Sequence, residues 1–238
     1  MEINEGSRLL SAALVELAST TDTLDVMETV HLGCDKARVV CDADGAVVML
    51  STDGRTLEVA GQSGFVGDAA ACAEPPDQPC LDVITSGEPQ AFRAGHVDDR
   101  YPRYANALRE MGIARTLSVP LHHRSTVIGT LVLVRTADAE FDESTCGDAQ
   151  LLADAIASNL VREQTLRAAL AVTAQLEHAL HARVVVEQAK GLVAGELQVS
   201  IDDALECLRQ FARRQHLRLA DVADDVVNRK LPTLLLTA

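Results

Sequence analysis

Six basic side chains recur at helical spacing in the last quarter of the chain. Arg and Lys offer only N–H donors, which suit phosphate oxygens, and the plane of an Arg side chain also stacks on an unpaired base. The alternative is a solvated face paired with Glu187, Glu206 and Asp202, where each exposed ion pair contributes little. The six candidates for phosphate and base contact are Arg183, Lys190, Arg209, Arg213, Arg214 and Arg218.

The cysteines and histidines show no pattern of a metal or catalytic site. No C-x-x-C pair occurs, and nothing has zinc-ligand spacing. Glycine-rich phosphate loops, H-E-x-x-H and G-x-S-x-G are also missing from the sequence. We therefore expect no metal site, no catalytic residues and no enzyme activity. The six cysteines are expected to be reduced, largely buried thiols: Cys34, Cys41, Cys72, Cys80, Cys146 and Cys207.

The negative charge of the chain is confined to its larger, N-terminal part. Residues 1–164 carry 12 Lys/Arg against 26 Asp/Glu, whereas residues 165–238 carry 9 of each. A neutral C-terminal part with locally clustered Arg still contacts phosphates, although its non-specific affinity should be weak. No apolar run approaches the roughly 20 residues that span a bilayer. The acidic N-terminus is unlike a secretory signal, so a cytoplasmic protein without membrane contact is expected.

Three helical patterns within residues 183–228 would position the basic side chains. The first pattern reaches Gly191 and fades by Gly195. The second opens at Ser200, a predicted N-cap, and Asp203 could complete a weak capping box. The third contains Leu219, Val222, Ala223, Val226 and Val227 at helical spacing. The apolar side of the second helix is predicted to comprise Ile201, Ala204, Leu205, Leu208, Phe211 and Ala212.

Residues 176–228 resemble the ANTAR domain, a family that binds RNA in transcription antitermination. The resemblance implies that the six basic residues contact paired short stem-loops in transcript leaders. It also implies a compact unit of three helices. The chain differs from the family's usual pattern at Val193-Ala194 and Leu205, which affects packing more than RNA contact. The matching motifs are Ala189-Lys190-Gly191, Asp203-Ala204, Leu208-Arg209, Ala212-Arg213 and Leu219-Ala220-Asp221-Val222-Ala223.

The preceding part of the chain predicts an α+β domain with an antiparallel sheet. Strand and helix do not alternate as they do in a doubly wound parallel sheet, which argues against a receiver domain. The strand Thr126–Arg135 is predicted to be central, and His122 to Ser125 should form the turn before it. The other predicted elements are helices 3–19, Thr23–Cys34, Cys80–Ser86 and Tyr104–Met111, and strands Ala46–Leu50, Thr56–Ala60, Ala91-Phe92 and Thr116–Leu121.

This order resembles the GAF domain, an antiparallel-sheet sensor with helices on one face of the sheet. The resemblance covers roughly residues 20–160 and implies a small-molecule ligand whose identity stays open. Cys80 and Cys72 are candidates for the sensor pocket, with buried structural thiols as the alternative. The matching motifs are Gln78-Pro79-Cys80, Ser86-Gly87-Glu88-Pro89, Ser118-Val119-Pro120-Leu121 and Ile128-Gly129-Thr130-Leu131.

A long helix should connect the two domains. No Gly or Pro occurs from Asp148 to Lys190, which predicts one helix of roughly 40 residues, about 60 Å long. Its apolar stripe from Leu166 to Val184 predicts a dimeric coiled coil, and the alternative is a helix that packs back on the sensor. The predicted organisation is a sensor at 1–160, a helical linker at 161–182 and the three-helix domain at 183–238.

These patterns together predict a homodimeric, signal-responsive antitermination regulator in which the sensor controls an RNA-binding domain. Two other functions stay open at this point. One is a cysteine-dependent redox enzyme that would use Cys72 and Cys80, since some GAF-like domains reduce free methionine sulfoxide. The other is a module that binds a partner protein through the three-helix unit. The sequence implies no particular cofactor.

Overall fold

A computed structural model describes residues 5–19, 26–51, 53, 56–65, 78–95 and 100–236 of the chain. The chain divides into two compact units, Met1–Thr165 and Leu166–Ala238. The candidate residue Cys72 lies outside the described residues, as does the predicted start of the second helix at Thr23.

The first unit is built from helices and strands in an α+β order, as predicted. The second helix extends to Val40, six residues beyond its predicted end, because its apolar spacing continues through Ala37 and Val40. The elements are α1 (Glu5–Ser19), α2 (Val26–Val40), β1 (Gly45–Ser51), β2 (Leu57–Gly64), α3 (Pro79–Ser86), β3 (Gln90–Arg93), α4 (Pro102–Glu110), β4 (Arg115–His123) and β5 (Thr126–Arg135).

Five antiparallel strands form one sheet in the order β2-β1-β5-β4-β3. The central position of β5 is confirmed, and its nearly continuous apolar sequence is that of a strand buried on both faces. The predicted four-residue turn before it is wrong. His122 and His123 pair with Val127 and Thr126, so the turn contracts to Arg124 and Ser125. Arg124 adopts a φ of 55°, which a tight hairpin turn requires.

Helices cover both faces of the sheet, so the expectation of helices on one face is wrong. Ala46 and Val48 of β1 point into a core with α1, α2 and the first part of the long helix. Val47 and Met49 point to the other side, where they pack with α3 and α4. Both sets of alternating side chains are apolar, so each face needs its own cover.

The long helix, α5 (Glu143–Leu197), has 55 residues and is therefore longer than predicted. Asp142 caps its start by accepting a hydrogen bond from the Thr145 N–H at 2.8 Å. It continues through Gly191 and Gly195, where a Cβ would meet nothing within 4 Å. The cost of about 1 kcal/mol per glycine is outweighed because the same turns bury Ala189 and Val193.

The second unit packs the end of α5 against α6 (Ile201–Arg214), α7 (Leu219–Val227) and a short 3-10 helix, Thr233–Leu236. Ser200 caps α6 by accepting the Asp203 N–H at 3.1 Å, as predicted. The capping box is not formed, because the Ser200 hydroxyl itself donates to the Asp203 carboxylate. Buried apolar residues from all four segments form the core: Val185, Ala189, Val193, Ala204, Leu208, Ala212, Val222, Ala223, Val226 and Leu236.

Two further features of the helices bear on the predictions. Ile201, which was assigned to the apolar side of α6, is 48% exposed at the first residue of that helix, whereas Ala204 and Leu208 on the same side are buried. None of the helices in the described ranges combines the length and hydropathy needed to cross a membrane, and this includes α5.

Candidate nucleic-acid interface

Lys190 is the least accessible of the six basic candidates. Its side chain is only 13% exposed, and its Nζ donates to both carboxylate oxygens of Glu187, at 3.0 and 2.9 Å. The two residues lie three apart on α5, so the helix itself brings them together. Lys190 is therefore held by a bidentate partner within its own helix.

Arg213 and Arg214, at the end of α6, both have partners inside the second unit. Arg213 donates to the Glu206 carboxylate at 2.6 Å, and both side chains stay open to solvent. Arg214 donates to the carbonyl oxygen of Leu236 at 3.1 Å, so it binds the C-terminal 3-10 helix. Arg214 thus has a structural contact that its position in the sequence does not reveal.

Arg183, Arg209 and Arg218 are exposed and are not tied to any other side chain. Within the described ranges, none of the three has an ion-pair or hydrogen-bond partner for its guanidinium. Arg218 occupies the N-cap position of α7, and Arg209 lies one turn before Arg213 on α6. These three side chains are the ones whose full set of N–H donors is available to a ligand.

An open groove lies where α6 turns into α7. His216 follows the last turn of α6 with a φ of 54°, and the Leu217 N–H returns to the Ala212 carbonyl at 2.9 Å. This closing turn directs the chain back along α6 and leaves a concave surface of about 510 Å³. The groove is lined by Arg209, Ala212, Arg213, His216, Leu217 and Leu219.

The groove joins residues that the sequence patterns indicated with Leu217, which they did not indicate. Arg209 and Arg213 were among the six basic candidates, and the structure places them together beside His216. The contribution of Leu217 was missed, because an apolar residue between two helices is normally assigned to the core. Its side chain is in fact 49% exposed.

The sensor candidate Cys80 is a core residue of the first unit. Its side chain is fully buried, and its Sγ lies 3.5 Å from the Ser118 Oγ. An open cleft of about 940 Å³ lies elsewhere, between α2 and the edge strand β2. Cys80 is not among the residues that line this cleft, which include Met27, His31, Asp35 and Val59.

Burial keeps the other core thiols protonated. It raises the pKa of Cys34 and of Cys41 to about 12, and it also raises the pKa of Cys146. The thiolate is the reactive and metal-binding form, so these cysteines are poor nucleophiles and poor ligands. Within the described ranges, no group of three His, Cys, Asp or Glu side chains is arranged to hold a metal ion.

Comparisons with known proteins agree with this two-unit architecture. The family model of the GAF domain matches residues 25–160, more than half of the chain, and that of the ANTAR domain matches residues 174–227. No curated protein matches the chain.

Solved structures share the fold of the first unit. The GAF domain of a phosphoenolpyruvate-protein phosphotransferase from Acinetobacter is 12% identical, with a TM-score of 0.53 over 69% of this chain and 97% of its own. The GAF domain of a phosphoenolpyruvate-protein phosphotransferase from Coxiella burnetii is 14% identical, with a TM-score of 0.55 over 69% of this chain and 99% of its own. The phycoerythrobilin-bound GAF domain of a cyanobacterial phytochrome is 11% identical, with a TM-score of 0.56 over 70% of this chain and 100% of its own. The chain therefore belongs to the GAF family, and the ANTAR domain that follows makes it a GAF-ANTAR regulator.

Proposed function

We propose that the chain is a signal-responsive transcription antitermination regulator. Its ANTAR domain would bind paired stem-loops in target RNA, and its GAF domain would control that binding. The main support is the exposed set Arg183, Arg209 and Arg218, whose guanidinium groups have no partner among the described residues of an RNA-binding family domain. Such a role places the protein in the cytoplasm, where it meets nascent transcripts.

The charge of the C-terminal part favours recognition by local contacts over bulk attraction. Residues 165–238 carry 9 basic and 9 acidic side chains, so their net charge is zero. Non-specific affinity for nucleic acid scales with the number of phosphates that a protein neutralises. Discrimination between target RNA and other nucleic acid must therefore come from a few Arg contacts and from the shape of the RNA loops.

An exposed apolar stripe on α5 supports a homodimeric coiled coil. Leu166, Leu170, Leu180 and Val184 lie on one side of the helix, and each is more than half exposed. Thr173, which interrupts the stripe, donates its hydroxyl to the Ala169 carbonyl at 3.0 Å and so has a partner within its own helix. A second copy of the stripe would remove these side chains from water and hold two ANTAR domains together.

The same helix offers a route for control by the sensor. Leu152, Ile156 and Leu160 of α5 belong to the core of the GAF domain. Val185 and Ala189 belong to the core of the ANTAR domain. A ligand with different affinities for two packing states of the GAF domain would shift the register or dimerisation of α5. We propose this shift as the signal that controls RNA binding.

A binding role also agrees with the burial of the Cys80 thiol. The redox alternative requires accessible, ionisable cysteines, whereas Cys80 is fully buried beside Ser118. We therefore propose a protein that acts by binding and not by catalysis.

RNA binding is tested by the double substitution Arg209→Ala and Arg218→Ala in the full chain. With an RNA of two adjacent stem-loops as the probe, we expect weaker binding. The slope of log Kd against log salt concentration should fall by about one to two, because two phosphate contacts are lost. Filter binding over a salt series measures both quantities.

The matched control is Arg103→Ala with Arg109→Ala, two exposed positions on α4 of the GAF domain. This variant removes the same charge and should leave both the affinity and the salt slope unchanged. Equal losses of RNA affinity in the two variants would show that binding depends only on the total charge of the protein. This result would contradict an interface on the ANTAR domain.

A further inference from the structure

We propose that His122, Gln150 and Asp154 form a proton-sensitive latch, which fastens the start of α5 to the sheet of the GAF domain. The inference deepens the proposed control by the sensor, and its effect on RNA binding rests on that proposal. The latch itself lies wholly within the GAF domain, so it can be tested without RNA.

The imidazole of His122 lies between two helices that cover opposite faces of the sheet. Its Nδ1 lies 3.5 Å from the Asp154 carboxylate on α5. Its Nε2 faces the end of α3, where a Cβ built on Gly87 would lie 3.7 Å away. Residues of α3 belong to one core of the domain, and the start of α5 belongs to the other. A change at this ring can therefore act on both layers.

Gln150 faces more acceptors than its amide can satisfy. Its Nε2 lies 2.9 Å from the Pro120 carbonyl oxygen, 2.9 Å from Asp154 Oδ1 and 3.3 Å from His122 Nδ1. The amide group carries only two hydrogens. Exchanging its nitrogen and oxygen would place the oxygen against two other oxygens, so this orientation is fixed. All the acceptors are satisfied when His122 Nδ1 carries a hydrogen and donates it to Asp154.

The charge of the imidazole decides how strongly the latch holds. In the imidazolium, Nδ1 carries a hydrogen and donates it to a carboxylate of opposite charge. In the neutral ring, a hydrogen on Nε2 leaves a bare Nδ1 facing the carboxylate. A hydrogen on Nδ1 instead makes a hydrogen bond without the ionic attraction. Histidine side chains change their charge between about pH 5 and pH 8, so we expect α5 to be held more firmly in mild acid.

The surroundings of the imidazole leave Asp154 as its principal charged partner. Among the described residues, this is the one carboxylate within 4 Å of the ring. The other charged or titratable groups nearby in sequence are His123 and Arg124, in the same hairpin, and Glu88, which follows Gly87. None of these three makes a hydrogen bond or an ion pair with the ring within the described ranges. Both members of the latch pair are partly exposed, which gives protons access and keeps the latch reversible.

The latch is tested by hydrogen exchange of the full chain at about pH 5.5 and about pH 8. Exchange rates are expressed as protection factors, so that the intrinsic effect of pH on exchange is removed. In the wild type, amides at the start of α5 should be roughly two- to fivefold more protected at the lower pH, which is the scale of an exposed ion pair.

His122→Asn should abolish this difference between the two pH values. The Asn amide keeps an N–H donor near the position of Nδ1, but it does not titrate. Asp154→Asn is a second, independent variant, because it removes the charge of the partner and keeps an oxygen for Gln150. His123→Asn is the matched control. It removes a histidine from the same strand that has no contact with Gln150 or Asp154 in the described ranges, so the difference should remain.

Two results would overturn the inference. One is equal protection of the wild-type α5 amides at the two pH values, and the other is a difference that persists in both His122→Asn and Asp154→Asn. Neither result bears on RNA binding by the ANTAR domain. Conversely, a wild-type chain that does not bind a two-stem-loop RNA would contradict the proposed function, while the pH dependence of exchange would still support the latch.

Discussion

Arg135, at the end of β5, ties together two segments that are distant in sequence. Its Nη2 donates to the Cys41 carbonyl at 2.8 Å and its Nε to the Asp42 carbonyl at 3.0 Å. On the other side, its Nη1 donates to the Glu140 carbonyl at 2.8 Å, and the guanidinium lies 4.1 Å from the centre of the Phe141 ring. The turn after α2 is thereby fixed to the segment that leads into α5.

Asp44 makes a second connection at the same place. Its carboxylate accepts the Thr136 N–H at 2.7 Å and the Thr136 hydroxyl at 2.8 Å. These two hydrogen bonds, with a smaller contribution from the charge of Arg135, lower the pKa of Asp44. The charged Asp44 carboxylate therefore adds a second link between the segment after α2 and the segment after β5, which Arg135 also joins.

We predict that Arg135→Lys destabilises the GAF domain by about 2 kcal/mol. Lys keeps the charge but cannot donate to carbonyls on both sides, and hydrogen bonds from charged donors contribute about 1.5–3 kcal/mol each. Urea denaturation of the full chain, monitored in the GAF-domain transition, measures the change. Arg103→Lys on the exposed surface of α4 should stay within about 0.5 kcal/mol of the wild type. Equal stability of the two variants would show that the Arg135 contacts contribute little.

At the scale of elements, α2 and α5 approach each other closely at Gly33. A Cβ on this buried glycine would lie 2.6 Å from Cγ1 and 2.8 Å from Cδ1 of Ile156. Such distances are shorter than van der Waals contact, so the missing side chain is what allows the two helices to pack. The part of α5 that covers the sheet is positioned by this contact.

We predict that Gly33→Ala destabilises the GAF domain by roughly 1–3 kcal/mol through overpacking against Ile156. This is opposite to the effect of helix propensity, which favours Ala over Gly by about 1 kcal/mol. Combining it with Ile156→Ala should cost less than the sum of the single substitutions, because the smaller partner makes room for the new methyl group. Thermal unfolding of the wild type, the two single variants and the double variant measures these changes in stability as a double-mutant cycle.

Gly147→Ala is the matched control for this cycle. Gly147 also lies in a helix, near the start of α5, but a Cβ there would meet nothing within 4 Å. The substitution should therefore leave stability unchanged or raise it by up to about 1 kcal/mol. Strictly additive effects of Gly33→Ala and Ile156→Ala would contradict the direct contact.

At the scale of the whole molecule, we predict that Leu170→Glu with Leu180→Glu converts a dimer to a monomer. Both leucines are about 60% exposed in the single chain, at 59% and 64%, and Glu at these positions would place like charges within the proposed coiled coil. Light scattering of the full chain should give half the wild-type mass. Affinity for a two-stem-loop RNA should fall, because the two ANTAR domains are no longer held together.

The control for this prediction is Ala171→Glu with Gln175→Glu. These two positions are exposed on the opposite side of α5, so they add the same number of charges outside the stripe. The control should remain dimeric. A monomeric wild-type chain, or a dimer that tolerates both leucine substitutions, would contradict dimerisation through this stripe.

Much of the fold and part of the site were determined by patterns that are local in sequence. The continuous apolar run of β5 indicates a strand buried on both faces, and Ser200 indicates a helix start, because its cap partner is three residues away. The spacing of Arg209 and Arg213 by one helical turn also puts them on one side of α6. Each of these features depends on backbone geometry within a few residues.

The tertiary structure decided which candidate groups are free and which are buried. Arg214 is bound to the carbonyl of Leu236, 22 residues away, and the Cys80 thiol lies against Ser118, 38 residues away. The groove likewise exists only because the chain turns at His216 and brings Leu217 and Leu219 beside α6. Burial and hydrogen-bond partners depend on segments that meet after folding, so local spacing cannot determine them.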